Sequence, residues 1–236
     1  MQKTILITGA TSGIGYETAN LLYKKGYSLF LVGRDENKLL SISAITGGAP
    51  YYVLDLEKTE QIEEMFNYCR ENGIRLDGLV HAAGYVINVP VRKYKIEHME
   101  KQIRINYYAF VELCKCFYQR KVSNEGASIV AVSSLATATK EKGSILYSSS
   151  KSAMNAAVSI ISKEFVKRFI RVNGIMPAYV DTRMTEGLDE LINVEEKQPM
   201  GMIPPDNIAE VIEFLLSEKS RYITGALLPI SAGMEF

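Results

Sequence analysis

Segments that read as strands and segments that read as helices alternate from one end of this 236-residue chain to the other, and no other feature constrains the fold as strongly. Two antiparallel strands need only a tight turn between them, whereas two parallel strands need a crossover, usually a helix. A chain that keeps alternating therefore builds a parallel sheet covered by helices on both faces. Apolar and β-branched runs mark strands at 2 to 8, 28 to 32, 51 to 54, 77 to 82, 128 to 132, 170 to 175 and 226 to 229. Helical spacing marks 13 to 25, 36 to 43, 59 to 71, 96 to 121, 146 to 167 and 206 to 216, with Asp35 placed to cap the second helix. The pattern predicts an α/β fold with a doubly wound parallel sheet of about seven strands, in one domain spanning 1–236.

Composition narrows the partners. Lys and Arg number 27 and so do Asp and Glu, so no broad field draws the chain to nucleic acid or to an anionic membrane. No apolar run of about 18 residues predicts a membrane span, and the apolar start is too short for a signal peptide. The cysteines Cys69, Cys114 and Cys116 lack a C-x-x-C spacing, and with only His81 and His98 beside them they form no zinc set. Reduced thiols and a cytoplasmic location are the expectation, with no metal. The stretch 183 to 204 is the least regular, and its Met184, Leu188, Leu191, Met200 and Met202 among acidic residues suggest an amphipathic flap over a substrate site.

The first strand runs into Thr8-Gly9-Ala10-Thr11-Ser12-Gly13-Ile14-Gly15 immediately before the first helix. Glycines allow a tight turn and close backbone approach, and the helix N-terminus offers free N–H groups and a partial positive charge to a pyrophosphate. At this place in an alternating chain, Gly9, Thr11, Ser12, Gly13, Ile14 and Gly15 predict a dinucleotide site. After the second strand, Val32-Gly33-Arg34-Asp35 offers no carboxylate at Gly33 and a guanidinium at Arg34 that can fork onto a 2′-phosphate. NADP(H) is therefore preferred, with NAD(H) possible if Asp35 turns inward rather than capping the helix.

Tyr147 and Lys151 lie four apart on one predicted helix, so a phenol and an ammonium sit side by side. A nearby fixed positive charge favours the phenolate and moves a tyrosine toward the working range of an acid/base catalyst. Ser134, thirteen residues before Tyr147 at a strand end, is placed to orient a carbonyl.

The glycine loop, Asn106, Ser134 and Tyr147-Ser-Ser-Ser-Lys151, in this order and at these separations, resemble the short-chain dehydrogenase/reductase family of single-domain Rossmann enzymes. Arg171-Val172-Asn173-Gly174-Ile175-Met176-Pro177-Ala178 through Met184 is similar to the family's loop after the sixth strand, and Tyr222-Ile223-Thr224-Gly225 to its C-terminal signature. The resemblance covers essentially the whole chain. It implies that Tyr147 protonates the carbonyl oxygen as hydride arrives, that Lys151 holds the nicotinamide ribose, that Ser134 positions the substrate oxygen, and that Asn106 anchors a water leading to Lys151. It implies further that Asp55, with Leu56 beside it, bonds the adenine amino group. Ala83, Gly84, Pro177, Val180 and Thr182 then contact the cofactor, with Ile175 or Val180 behind the nicotinamide. The implied activity is NADPH-dependent reduction of a carbonyl, 3-oxoacyl thioesters being the commonest substrate for this layout, by a homodimer or homotetramer.

Four positions depart from the family pattern: His81-Ala82 stands for the usual Asn-Asn, Ala178 for a glycine, and Ala232 for the first of a final Gly-Gly. His81 reads as a core residue rather than a ligand or base. Arg92, Lys93 and Lys95 form a basic run suited to an acyl carrier or simply to solvent. Competing functions are a non-catalytic NADP-binding redox sensor and an NAD-dependent alcohol or sugar dehydrogenase.

Overall fold

In this computed structural model residues 2–186 and 193–236 are described. Seven strands form one sheet in the order β3-β2-β1-β4-β5-β6-β7, and every neighbouring pair is parallel. They are β1 (Thr4–Thr8), β2 (Ser28–Gly33), β3 (Tyr51–Val53), β4 (Leu76–His81), β5 (Ser123–Val132), β6 (Arg171–Pro177) and β7 (Leu227–Ile230). The chain walks outward from β1 to β3, then returns to β4 on the other side of β1. That reversal leaves a crevice beyond the carboxyl ends of β1 and β4.

Successive strand side chains point to opposite faces, and both faces are packed. Leu6 of β1 and Phe30 of β2 join Phe66, Phe110, Phe117 and Val158 on one side. Ile5 and Ile7, with Leu29 and Leu31, join Leu22, Leu39, Ile208 and Ile212 on the other. The first layer is built by α3 (Ile62–Glu71), α5 (Ala109–Phe117) and α7 (Ile145–Phe165), with α4 (Ile96–Ile103) against α7, and the second by α1 (Gly13–Lys24), α2 (Glu36–Ile45) and α9 (Pro205–Leu216). Two short helices, α6 (Ala136–Thr139) and α8 (Val194–Lys197), lie in the connections beyond β5 and β6. Each fully buried Phe, Leu or Ile contributes roughly 1.5–3 kcal/mol relative to exposure, so this two-sided burial dominates the favourable side of folding.

The expected strands and helices are all present, with altered limits. The long region 96 to 121 is not one α-helix: a π-turn at Arg104–Tyr108 separates α4 from α5, closed by the Ala109 N–H donating to the Arg104 carbonyl. A π-turn inserts one residue into the helical register, and here it carries Asn106. β5 begins at Ser123 rather than 128 because Ser123 pairs with Leu76, ahead of a register shift between Leu76 and Gly78. The 183 to 204 stretch contributes α8, while Leu188 and Leu191 fall outside the described residues.

The two C-terminal motifs meet each other. The Val172 N–H donates to the Thr224 hydroxyl at 3.1 Å, and the buried Asn173 amide donates to the Ile223 carbonyl at 2.9 Å while accepting from the Ala226 N–H at 3.0 Å. Asn173 thus fixes the approach of β7 to β6.

The turn after β1 is a close backbone packing. A Cβ built on Gly9, which has φ +69°, would lie 2.8 Å from the Ala83 nitrogen, and one on Gly15 would overlap the Gly9 carbonyl. Backbone atoms have little room to yield, so Gly15→Ala is expected to cost ~2–4 kcal/mol of stability. A urea unfolding midpoint within error of wild type would contradict this packing account.

Candidate active site

The crevice is a cavity of about 630 Å³. Gly9, Thr11, Ser12, Gly13 and Ile14 line it, but Gly15 does not. Gly15 instead lies behind the turn, letting α1 start directly against Gly9. Ser12 is the N-cap residue of α1 in extended conformation, and its side chain makes no capping hydrogen bond. The first N–H groups of the helix are therefore left for another acceptor, which is the donor set a pyrophosphate requires.

Arg34 lines the cavity and is exposed at its edge. Asp35 turns away, accepting from the Lys38 N–H at 3.1 Å as the cap of α2. A Cβ on Gly33 would lie 3.0 Å from the Thr11 methyl, so a side chain at 33 would press on Thr11. Asp55 and Leu56 also line the cavity. One Asp55 oxygen accepts from the Glu57 N–H at 3.1 Å, which shapes the loop after β3.

At the carboxyl end of β4, His81 is fully buried. Its Nδ1 lies 3.0 Å from the Thr8 hydroxyl, which accepts from the Ala83 N–H at 3.3 Å, and its ring packs 5.7 Å from that of Phe110. Burial, followed by the Lys151 charge, lowers its pKa to about 3, so the ring is neutral at ordinary pH. The Thr8 hydroxyl thus ties β1 both to His81 of β4 and to the loop carrying Ala83 and Gly84, which lie on the cavity wall. Among the described residues no group of three or more His, Cys, Asp or Glu is placed to hold a metal.

Ser134, Tyr147 and Lys151 reach the same cavity. Ser134 follows β5 at the sheet's carboxyl edge, and α7 lays Tyr147 and Lys151 beside it one turn apart. Burial raises the Tyr147 pKa, and the nearby Ser134 hydroxyl opposes that rise. The sequence suggested that the Lys151 charge would pull this phenol down. Burial decides otherwise: the phenol keeps its proton at neutral pH. Lys151 is 3 % exposed and donates to the Val132 carbonyl at 2.7 Å, and burial lowers its pKa to about 7.

Asn106 does not line the cavity. Fully buried in the π-turn, its side-chain oxygen accepts from the Tyr85 N–H at 2.8 Å. Its amide donates to the Tyr85 carbonyl and the Ser150 hydroxyl, both at 2.9 Å. It clamps the loop after β4 to α7 just before Lys151. A Cβ on Gly84 would sit 3.6 Å from both Asn106 Oδ1 and Lys151 Nζ, so the two groups flank one point of the wall.

After β6, Pro177, Val180 and Thr182 line the cavity, whereas Ile175 is wholly buried in the strand and does not. The Thr182 methyl lies 3.1 Å from a Cβ built on Gly13, so this loop reaches across to the glycine turn. Arg92, Lys93 and Lys95 are exposed but do not line the cavity. Sequence reasoning missed Tyr85, Asn88, Glu141, Tyr179 and Lys197, which do. Their spacing carries no signal, because three separate connections, those after β4, β5 and β6, bring them together.

A family model described as Enoyl-(Acyl carrier protein) reductase matches residues 9–235. The chain belongs to the short-chain dehydrogenase/reductase family, and is an NAD(P)-dependent oxidoreductase. It is 30% identical to the 3-oxoacyl-[acyl-carrier-protein] reductase FabG of Thermotoga maritima, over 98% of this chain and 97% of that protein. It is 27% identical to carbonyl reductase family member 4 of Xenopus tropicalis, over 100% of this chain and 99% of that protein. Among solved structures, ElxO with NADP bound superposes with a TM-score of 0.89 at 26% identity, covering 99% of this chain and 98% of that one.

The burial of Lys151 has a measurable consequence. Above pH 10.5, the ordinary lysine value, neither state carries the charge, and below about pH 7 both do, the folded chain bearing the full cost. Between those values only the unfolded chain holds the proton, so folded wild type gains stability as pH rises. Relative to Lys151→Met, wild type is therefore expected to gain on the order of a few kcal/mol between pH 7 and 10. A difference in denaturation midpoints that stays flat over that range would show that Lys151 is charged at neutral pH.

Proposed function

We propose that this protein reduces the carbonyl group of a ketone or 3-oxoacyl thioester to an alcohol with NADPH as the reductant. The convergence of Ser134, Tyr147 and the buried Lys151 on one cavity carries this reading. Gly9, Thr11, Ser12, Gly13 and Ile14 would hold the pyrophosphate and Arg34 the 2′-phosphate, with Asp55 and Leu56 at the adenine and Ala83, Gly84, Pro177, Val180 and Thr182 along the rest. NADPH supplies the hydride. The NADP-bound state of ElxO supports the choice of cofactor, as do the cap role of Asp35 and the lack of a carboxylate at Gly33; NAD(H) is the second option for the same fold.

Hydride delivery to a ketone builds negative charge on oxygen, which needs a proton donor and hydrogen-bond donors aimed at it. Tyr147, kept protonated by burial, is the acid in this scheme. Ser134, on the same cavity wall, directs the same oxygen. Lys151, when charged, stabilises the phenolate left behind and holds the ribose. Asn106 acts as a positioning residue, fixing the loop and helix between which Lys151 sits.

The 3-oxoacyl-[acyl-carrier-protein] reductases among the relatives favour a thioester substrate, and carbonyl reductase family member 4 favours a simpler ketone. A substrate panel of ketones, 3-oxoacyl thioesters and one enoyl thioester, followed by NADPH oxidation, separates them. Tight NADPH binding without turnover of any would replace the reductase with a redox sensor. We also propose self-association into a homodimer or homotetramer, since Tyr108, Val111, Ile145 and Ile160 leave apolar side chains exposed on α7 and the helices before β5. Light scattering that returns only monomer across concentrations would oppose it.

Tyr147→Phe is expected to lower turnover by orders of magnitude with NADPH affinity near normal, read by kcat and by cofactor titration. Arg34→Ala is expected to weaken NADPH by about 1.5–3 kcal/mol and NADH far less. Equal losses for both cofactors would remove the 2′-phosphate assignment.

A further inference from the structure

Three polar side chains on the cavity wall have no part in the scheme above: Glu141, Tyr179 and Lys197. They come from the turn before α7, the segment after β6, and α8. Lys197 Nζ lies 2.7 Å from Glu141 Oε1, and the Tyr179 hydroxyl is 3.1 Å from each Glu141 oxygen. The Lys197 and Glu141 side chains are 43% and 40% exposed, so the cluster stands where the cavity opens to solvent.

Both sides of the contact are anchored. Gln198, adjacent to Lys197, is fully buried. Its side chain accepts from the Tyr179 N–H at 2.9 Å and donates to the carbonyls of Tyr179 at 3.0 Å and Gly201 at 2.5 Å. Opposite, the Glu141 carbonyl accepts from the Ser144 hydroxyl at 2.6 Å, and Ser144 bonds Ser148 at 2.9 Å in the first turn of α7. The carboxylate therefore joins the segment carrying α8 to the turn that starts the helix bearing Tyr147.

We propose, on the carbonyl-reductase reading above, that Glu141, Lys197 and Tyr179 form an ionic latch across the mouth of the cavity that sets the size of carbonyl compound admitted. A short ketone passes with the latch closed, while a long acyl thioester needs it open. Exposed ion pairs are weak and screened by salt, so the selectivity is a matter of a few-fold and falls as ionic strength rises.

The test compares kcat/KM for ethyl acetoacetate and for a long-chain 3-oxoacyl N-acetylcysteamine thioester, in wild type, Glu141→Gln and Lys197→Met. The latch predicts that the long-to-short ratio rises about 3- to 5-fold in both variants, and that added salt raises the ratio of wild type but not of the variants. A second measurement needs no substrate: amide hydrogen exchange across residues 194 to 201 should quicken in both variants. A ratio unchanged by the substitutions, or parallel losses for both substrates, would overturn the latch while leaving the reductase standing. Wild type that reduces neither compound would instead sink the reductase reading and the size filter with it. Unchanged exchange rates would refute the latch whatever the activity.

Discussion

A parallel sheet sends the carboxyl end of every strand to the same edge, and the rest of this structure depends on that constraint. β1 ends at Thr8, β4 at His81, β5 at Val132 and β6 at Pro177, and each is followed at once by residues that line the cavity. The reversal of strand order between β1 and β4 opens the crevice, and the glycines at 9 and 15 let the first turn pack against the loop after β4. Thr8 and His81 bond across that seam. The departure from the family's usual asparagine therefore keeps a polar tie between the two central strands, with a neutral ring as its second member.

Electrostatics within the crevice follow from burial more than from pairing. The Lys151 ammonium bonds a backbone carbonyl rather than a carboxylate, so desolvation governs its pKa. Tyr147 is pushed the opposite way by the same cause, because burial disfavours the charged form of either group. A neutral phenol beside an ammonium that sheds its proton readily is a pair ready to supply protons rather than to store charge. An added anionic group nearby, such as a phosphate, would favour the ammonium.

Much of the site was legible before any coordinates. The alternation of strands and helices, the glycine turn and the order of Ser134, Tyr147 and Lys151 are local patterns fixed by backbone sterics and helical spacing, and these segments fold as read. Asp35 was legible as a cap for the same reason, since a capping side chain reaches only its own helix. Asn106 stood out in the sequence, but its contacts did not. Whether its amide faces the cavity or clamps Tyr85 and Ser150 depends on the π-turn, which no residue preference announces.

The sequence by itself determined the layer architecture, the glycine turn before the first helix and the side-by-side placement of a phenol and an ammonium, because each is set within a few residues along the chain. The tertiary structure alone decided that Gly15 and Ile175 stay off the cavity wall, that burial governs Tyr147 and Lys151, and that Glu141 meets Lys197 across the opening. Those outcomes rest on contacts between segments far apart in the chain, where distance and dielectric are set by packing and leave no periodicity to read.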